Sequence, residues 1–165
     1  MVDRTLSDPV FNADWAAYYE KTGQRPPRST LIRALDAFNA EGRPEDASAI
    51  DLGCGSGRDT IEILRRGWPV LAVDASQDAF DGLLGRGDLP AGANIETQLS
   101  RYEDMALPLA DLINAGFSLP LRAKEAFPEV LKITSGALSK SAKQVFRTHL
   151  FYSARVYPGV GIPKR

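Results

Sequence analysis

Short apolar runs closed by a glycine or an acid alternate along this chain with stretches whose apolar residues recur every three or four positions. Asp14 to Glu20 reads as a short helix that ends at Gly23 and enters the proline-stiffened Arg25-Pro26-Pro27-Arg28. Leu31, Ile32, Leu35 and Phe38 mark a second helix, with Ser29 or Thr30 as its cap and Gly42-Arg43-Pro44 as its stop. Ala47 to Leu52 is an apolar run suited to a strand buried on both faces, and it leads directly into Gly53-Cys54-Gly55-Ser56-Gly57. A helix follows over Asp59 to Arg66, with Gly67 as terminator; Val70 to Val73 is a second buried strand finishing at Asp74. Ser76 is placed to cap a helix over Gln77 to Leu84, Asn94 to Leu99 gives a third strand, and Leu109 to Asn114 a fourth. A helix from about Glu129 to Leu138 and a weaker strand from about Gln144 to Phe151 complete the alternation. Strands separated by helices imply right-handed crossovers and a mainly parallel sheet covered on both faces, so the predicted fold is α/β, doubly wound.

Composition narrows this without changing it. The 165 residues, 44% hydrophobic and 25% charged, suit one soluble globular domain. Within it, residues 1–45 are expected to form a helical cover, 46–151 the core and 152–165 an irregular tail. Cys54 is the single cysteine and His149 the single histidine, which excludes an intramolecular disulfide or a Cys/His zinc site and fits a reducing compartment, the cytoplasm. The N-terminal residues lack a cationic stretch followed by an apolar run, and the mostly apolar Ala106 to Leu121 is interrupted by Pro108, Asp111 and Pro120; neither export nor membrane spanning is expected. The net charge of −1 hides an asymmetry, because residues 130–165 hold seven cations and no acid, leaving 13 basic against 21 acidic residues before them. A basic arm can track phosphates, but scattered cations without aromatic stacking residues read as a solvated surface, which argues against a nucleic-acid partner.

The glycines carry the chemistry. In a doubly wound sheet, ligands bind at the carboxyl ends of the strands where strand order reverses, and the turn after the first strand lies there. Gly53, Gly55 and Gly57 fall on that turn, where a missing Cβ lets backbone approach a ligand. Asp51 sets a carboxylate beneath the turn, to hold loop amides or a ligand ammonium. Asp74 ends the next strand, at the spacing where an acid reaches the ribose hydroxyls of an adenosine. The duller roles are that Asp51 caps the turn and Asp74 the following helix. A nicotinamide-dinucleotide fingerprint would need glycine or alanine where Arg58 stands, so the pattern is D-x-G-x-G-x-G instead.

In Asp51-Leu52-Gly53-Cys54-Gly55-Ser56-Gly57 the chain resembles the class I S-adenosylmethionine-dependent methyltransferases, and Val73-Asp74-Ala75-Ser76 matches their second motif. The resemblance covers approximately residues 14 to 135 and is strongest to bacterial small-molecule methyltransferases of the type-11 and tellurite-resistance-like kind. It implies S-adenosylmethionine as cofactor, held by Asp51, Gly53, Cys54, Gly55, Ser56, Gly57, Asp74 and Ala75. It further implies that Glu103 or Asp104, in Tyr102-Glu103-Asp104, approaches the adenine, and that Leu112-Ile113-Asn114-Ala115-Gly116-Phe117 lines the cofactor through Asn114. The N-terminal Trp15-Ala16-Ala17-Tyr18-Tyr19 and Arg25-Pro26-Pro27-Arg28 resemble the segment that covers the cofactor, where Arg28 would pair with a methionyl carboxylate.

The implied reaction is in-line methyl transfer to a small-molecule acceptor, driven mainly by proximity. No residue identifies itself as a general base; Tyr19 of the cover is the candidate should the acceptor have to lose a proton, and Tyr18 and Tyr19 serve equally well as helix packing. Cys54, with no base beside it, reads as packing. The C-terminal third departs from the family, since Ala137 to Lys143 lacks the usual glycine pair and the tail carries Pro158, Gly159, Gly161 and Pro163, so the last two strands are expected to be missing. An unpaired sheet edge would follow, open to homodimerisation, with a degenerate, non-catalytic binding domain as the alternative function.

Overall fold

The computed structural model describes residues 15–116 and 127–138. They form α1 (Trp15–Thr22), α2 (Ser29–Glu41), β1 (Ala49–Leu52), α3 (Thr60–Arg65), β2 (Val70–Asp74), α4 (Gln77–Leu84), β3 (Ile95–Leu99), a 3-10 turn at Tyr102–Asp104, β4 (Leu112–Asn114) and α5 (Phe127–Gly136). The expected strand from Gln144 to Phe151, the tail with its glycines and prolines, His149 and Phe117 lie outside the described residues.

The four strands form one sheet in the order β3-β2-β1-β4, and each neighbouring pair is parallel. Strand order therefore reverses between β1 and β4, which puts the glycine turn after β1 at the switch point expected for a doubly wound sheet. The pleat sorts side chains between two layers. Ala49, Val70 and Leu112 pack with Leu31, Leu35 and Phe38 of α2 and with Ile63, Leu64 and Trp68. Ile50, Leu52, Val73 and Ile113 turn to the other layer, against Met105, Ala110 and Ala137. A third group joins Ala72 to Ile61, Phe80, Leu83 and Cys54 beside the turn. Among the described residues β3 and β4 are the end strands, and on β3 Leu99 is 58% exposed.

Local chemistry explains the helix ends, with two departures from expectation. Neither Ser29 nor Thr30 caps α2: Arg28 holds the cap position without a side-chain capping bond, and its own backbone N–H donates to Asp59 Oδ1 at 3.0 Å, so a distant carboxylate satisfies the amide at the cap. Ser76 does sit at the cap of α4, but its side chain makes no capping bond; Asp74 Oδ1 accepts the Ser76 N–H at 3.0 Å instead. The end of α3 is as expected, because Gly67 has φ 74° and its N–H reaches Leu64 O while Trp68 N–H reaches Ile63 O, closing a Schellman motif. β4 is shorter than its apolar run; a single parallel bridge, Ala110 to Leu138, extends the pairing on its N-terminal side.

Candidate functional site

The turn after β1 is built on three alternate left-handed residues, Gly53 (φ 66°), Gly55 (φ 52°) and Gly57 (φ 87°). Any other residue would be strained at each. At Gly57 a Cβ would also run into the Leu83 side chain, so this glycine serves packing against α4. The turn is pinned to β2, with Gly53 and Cys54 N–H both donating to Val73 O, at 2.8 and 3.1 Å.

Asp74 stands at the carboxyl end of β2 beside that turn. Its Oδ2 accepts the Gly55 N–H at 3.0 Å and its Oδ1 the Ser76 N–H at 3.0 Å. Burial raises its carboxyl above the usual range, while hydrogen bonds from the Gly55, Ser76 and Ala75 amides and from the Tyr19 side chain oppose the rise. The expected partnership of glycine turn and second-strand acid is thus a direct contact.

Asp51 was expected to hold loop amides or a ligand ammonium; the strand alternation sends its side chain to the α3 layer, where it is 2% exposed. There Thr60 Oγ1 donates to Oδ2 at 2.6 Å and Asn114 Nδ2 to Oδ1 at 2.8 Å. Asn114 is the residue paired with Asp51 across β1 and β4, which explains the meeting. Burial, then the nearby Asp59 charge, pushes the Asp51 carboxyl up to about 7. Asn114 Nδ2 also reaches Asp59 Oδ2 at 3.3 Å, and no donor among the described residues reaches Asn114 Oδ1.

Arg28 ion-pairs with Asp59 at 2.7 Å, an attachment that the sequence did not reveal. The pair lies against Gly116, where a Cβ would stand 2.9 Å from Arg28 Nη1 and 3.0 Å from Asp59 Oδ2. A side chain at position 116 would therefore press on this pair at the end of β4. Asp59 reads in the sequence only as a helix start; no local signal marks a carboxylate that joins three elements.

The N-terminal segment is tied to the turn at further points. Ser56 Oγ donates to Tyr19 O at 3.3 Å, and Arg58 Nε to Pro26 O at 2.7 Å. Arg86 Nη1 donates to Gly23 O at 2.6 Å and to Ser56 O at 3.3 Å. Ser56, expected among cofactor contacts, thus spends its hydroxyl on the cover. The Tyr19 ring lies on Gly55, so that a Cβ there would be 3.0 Å from Cε1 and 3.2 Å from Cδ1. Burial and then the Asp74 charge raise the Tyr19 phenol above its usual range, so it keeps its proton at neutral pH. That makes it a hydrogen-bond donor and a poor general base.

Cys54 is buried, and burial followed by the charges of Asp51 and Asp74 raises its thiol well above the usual range, as befits packing. Asp104 is exposed on the 3-10 turn, and the side chain of Glu103 lies outside the described residues. Among the described residues no helix is long and apolar enough to cross a membrane.

No family model matches the chain. A probable cobalt-precorrin-6B C(15)-methyltransferase (decarboxylating) of Methanococcus vannielii is 39% identical over 74 residues, a stretch spanning 45% of this chain and 41% of that relative. Among solved structures, a TehB-like SAM-dependent methyltransferase from Corynebacterium glutamicum superposes with a TM-score of 0.58 at 21% identity, covering 85% of this chain and 77% of its own. Magnesium protoporphyrin IX methyltransferase from Synechocystis, solved with bound SAM, superposes with a TM-score of 0.57 at 14% identity, covering 77% of this chain and 60% of its own. These likenesses bear out the resemblance carried by the glycine turn and Asp74: the chain has the Rossmann-like fold of the class I S-adenosylmethionine-dependent methyltransferases.

Proposed function

We propose that the chain binds S-adenosylmethionine across the glycine turn and Asp74 and transfers its methyl group to a small-molecule acceptor. The observation that carries this reading is the hydrogen bond between Gly55 N–H and Asp74 at the reversal point of the strand order. It joins a turn whose alternate residues are glycines to a carboxylate suited to ribose hydroxyls, on a fold shared with structures that act on that donor. The chemistry of the neighbourhood fits as well. Asp74 supplies a carboxylate beside the turn, and Asn114 Oδ1 a buried acceptor without a donor among the described residues, a set matched to a cationic amino-acid nucleoside rather than to a pyrophosphate.

When bound, the cofactor supplies a methyl group on a sulfonium whose sulfur leaves neutral, so the protein need only orient and exclude water. In this reading Asp74 holds the ribose, and Gly53 and Gly55 give the backbone its close approach. The ends of β1 and β4 face the methionyl portion. Arg28, ion-paired with Asp59, holds the cover in place. Tyr19 keeps its proton, so no base is assigned to it. Ser56 and Cys54 act through packing of the turn.

Titration calorimetry with S-adenosylmethionine and S-adenosylhomocysteine tests the binding step, with the release of S-adenosylhomocysteine over a panel of small acceptors testing transfer. Asp74→Ala is expected to weaken binding by about 10- to 100-fold, the scale of one charge-assisted hydrogen bond. Asp74→Asn keeps an acceptor for Gly55 N–H and separates a binding effect from a folding one. Failure of the wild-type chain to bind either compound would overturn the proposal; binding without turnover would favour a non-catalytic domain.

A further inference from the structure

The Asp74 carboxylate is already heavily used by the protein itself. A carboxylate has about four lone-pair sites. The amides of Gly55 and Ser76 take one on each oxygen, both at 3.0 Å. The Ala75 amide and the Tyr19 side chain favour its charged form as well. The Tyr19 ring meanwhile lies against Gly55, within contact of the position a Cβ would take. In the proposed reading that is the approach to backbone which the nucleoside uses. Backbone amides of the turn and of the α4 cap cannot leave without unmaking the structure; a tyrosine side chain can rotate.

We propose that Tyr19 is a built-in competitor for the nucleoside subsite: its phenol and ring hold the same carboxylate and the same face of Gly55 that a bound ribose requires, so binding proceeds by displacing Tyr19. The proposal rests on the reading that Asp74 receives ribose hydroxyls, and it assigns Tyr19 the opposite sign from a residue that only stacks on the ligand. The backbone ties of α1 favour rotation of the side chain over lifting of the helix. Tyr19 O is held by Gly23 N–H at 2.8 Å and by Ser56 Oγ at 3.3 Å, and Arg86 secures Gly23 O at 2.6 Å. Neighbouring Tyr18, its ring centroid 6.0 Å from that of Tyr19, is 48% exposed, so the pair lies at the surface of α1. Apparent affinity then falls by the fraction of molecules in which Tyr19 is displaced.

The test is calorimetry and stopped-flow binding of S-adenosylhomocysteine to the full chain and to Tyr19→Phe and Tyr19→Ala. Phenylalanine keeps the ring and the helix and removes only the hydroxyl. The expected result is binding tighter by about tenfold in Tyr19→Phe, the scale of a hydrogen bond to a charged group, with association at least as fast in Tyr19→Ala as in the wild type. Equal or weaker binding by Tyr19→Phe, in a protein whose melting temperature matches the wild type, overturns the competitor role and leaves the nucleoside site standing. Absence of binding in all three proteins overturns the nucleoside site, and the competitor role with it.

Discussion

At the scale of the residue, the sharpest tension is the pair of buried acids Asp51 and Asp59 around one amide. Asp51 is buried, bonded to Thr60 and Asn114, and its carboxyl is raised to about 7 by burial and by Asp59. An acid raised in the folded state binds its proton more tightly there than in the unfolded chain, whose aspartates titrate near 4. Stability from this group is therefore full below about pH 4 and is lost as pH rises through about 7. Asp51→Asn removes the ionisation while keeping an acceptor for Asn114 and a polar group for Thr60. The variant is expected to melt higher than the wild type at pH 8, with a difference that shrinks toward pH 5. Melting curves at both values check it, and a variant less stable than the wild type at pH 8 would show that the carboxylate is net favourable where it stands.

At the scale of the element, local signals placed ends and turns well, and long-range partners account for what they missed. The Gly67 stop of α3, the glycine turn and Asp74 at the end of β2 were legible because each depends on residues within a few positions. The cap of α2 was not, because the group that satisfies Arg28 N–H is Asp59, 31 positions away. The partners of Asp51 were hidden for a related reason: the D-x-G-x-G-x-G spacing locates it at the strand end, but the pleat and the neighbouring β4 decide which layer its side chain enters. Arg28 was likewise expected to await a ligand carboxylate and is ion-paired with Asp59. The Schellman end of α3 supplies a clean measurement of what a local signal is worth. Gly67→Ala meets no heavy atom nearer than Arg43 Nη2 at 3.9 Å, so its cost is the left-handed backbone alone. A loss of about 1 kcal/mol in urea unfolding is expected. A loss near zero would mean that the terminal turn rearranges freely.

At the scale of the whole molecule, the parallel order β3-β2-β1-β4 gathers the ends of β1, β2 and β4 at one edge of the core, and the N-terminal segment is laid over that edge by contacts reaching far along the chain. Arg86 is central to this closure. Its side chain is 8% exposed; it donates from Nε and Nη2 to the two oxygens of Asp88, at 2.8 and 3.0 Å, and from Nη1 to the carbonyls of Gly23 and Ser56. Asp88 thereby orients a guanidinium that joins the end of α1 to the glycine turn across 63 positions of sequence. Lysine retains the charge but offers a point donor in place of a planar fork, so it can satisfy one of these carbonyls and not the whole set. Arg86→Lys is therefore expected to loosen the cover without melting the sheet. Amide hydrogen exchange across α1 should quicken by about tenfold or more, as befits loss of a hydrogen bond to a charged donor, while the amides of β1 and β2 keep their protection. Equal acceleration in strands and cover would make Arg86 part of the general core, and no acceleration in α1 would transfer the closure to Ser56 and the Arg28–Asp59 pair, whose bonds to the same segment survive the substitution.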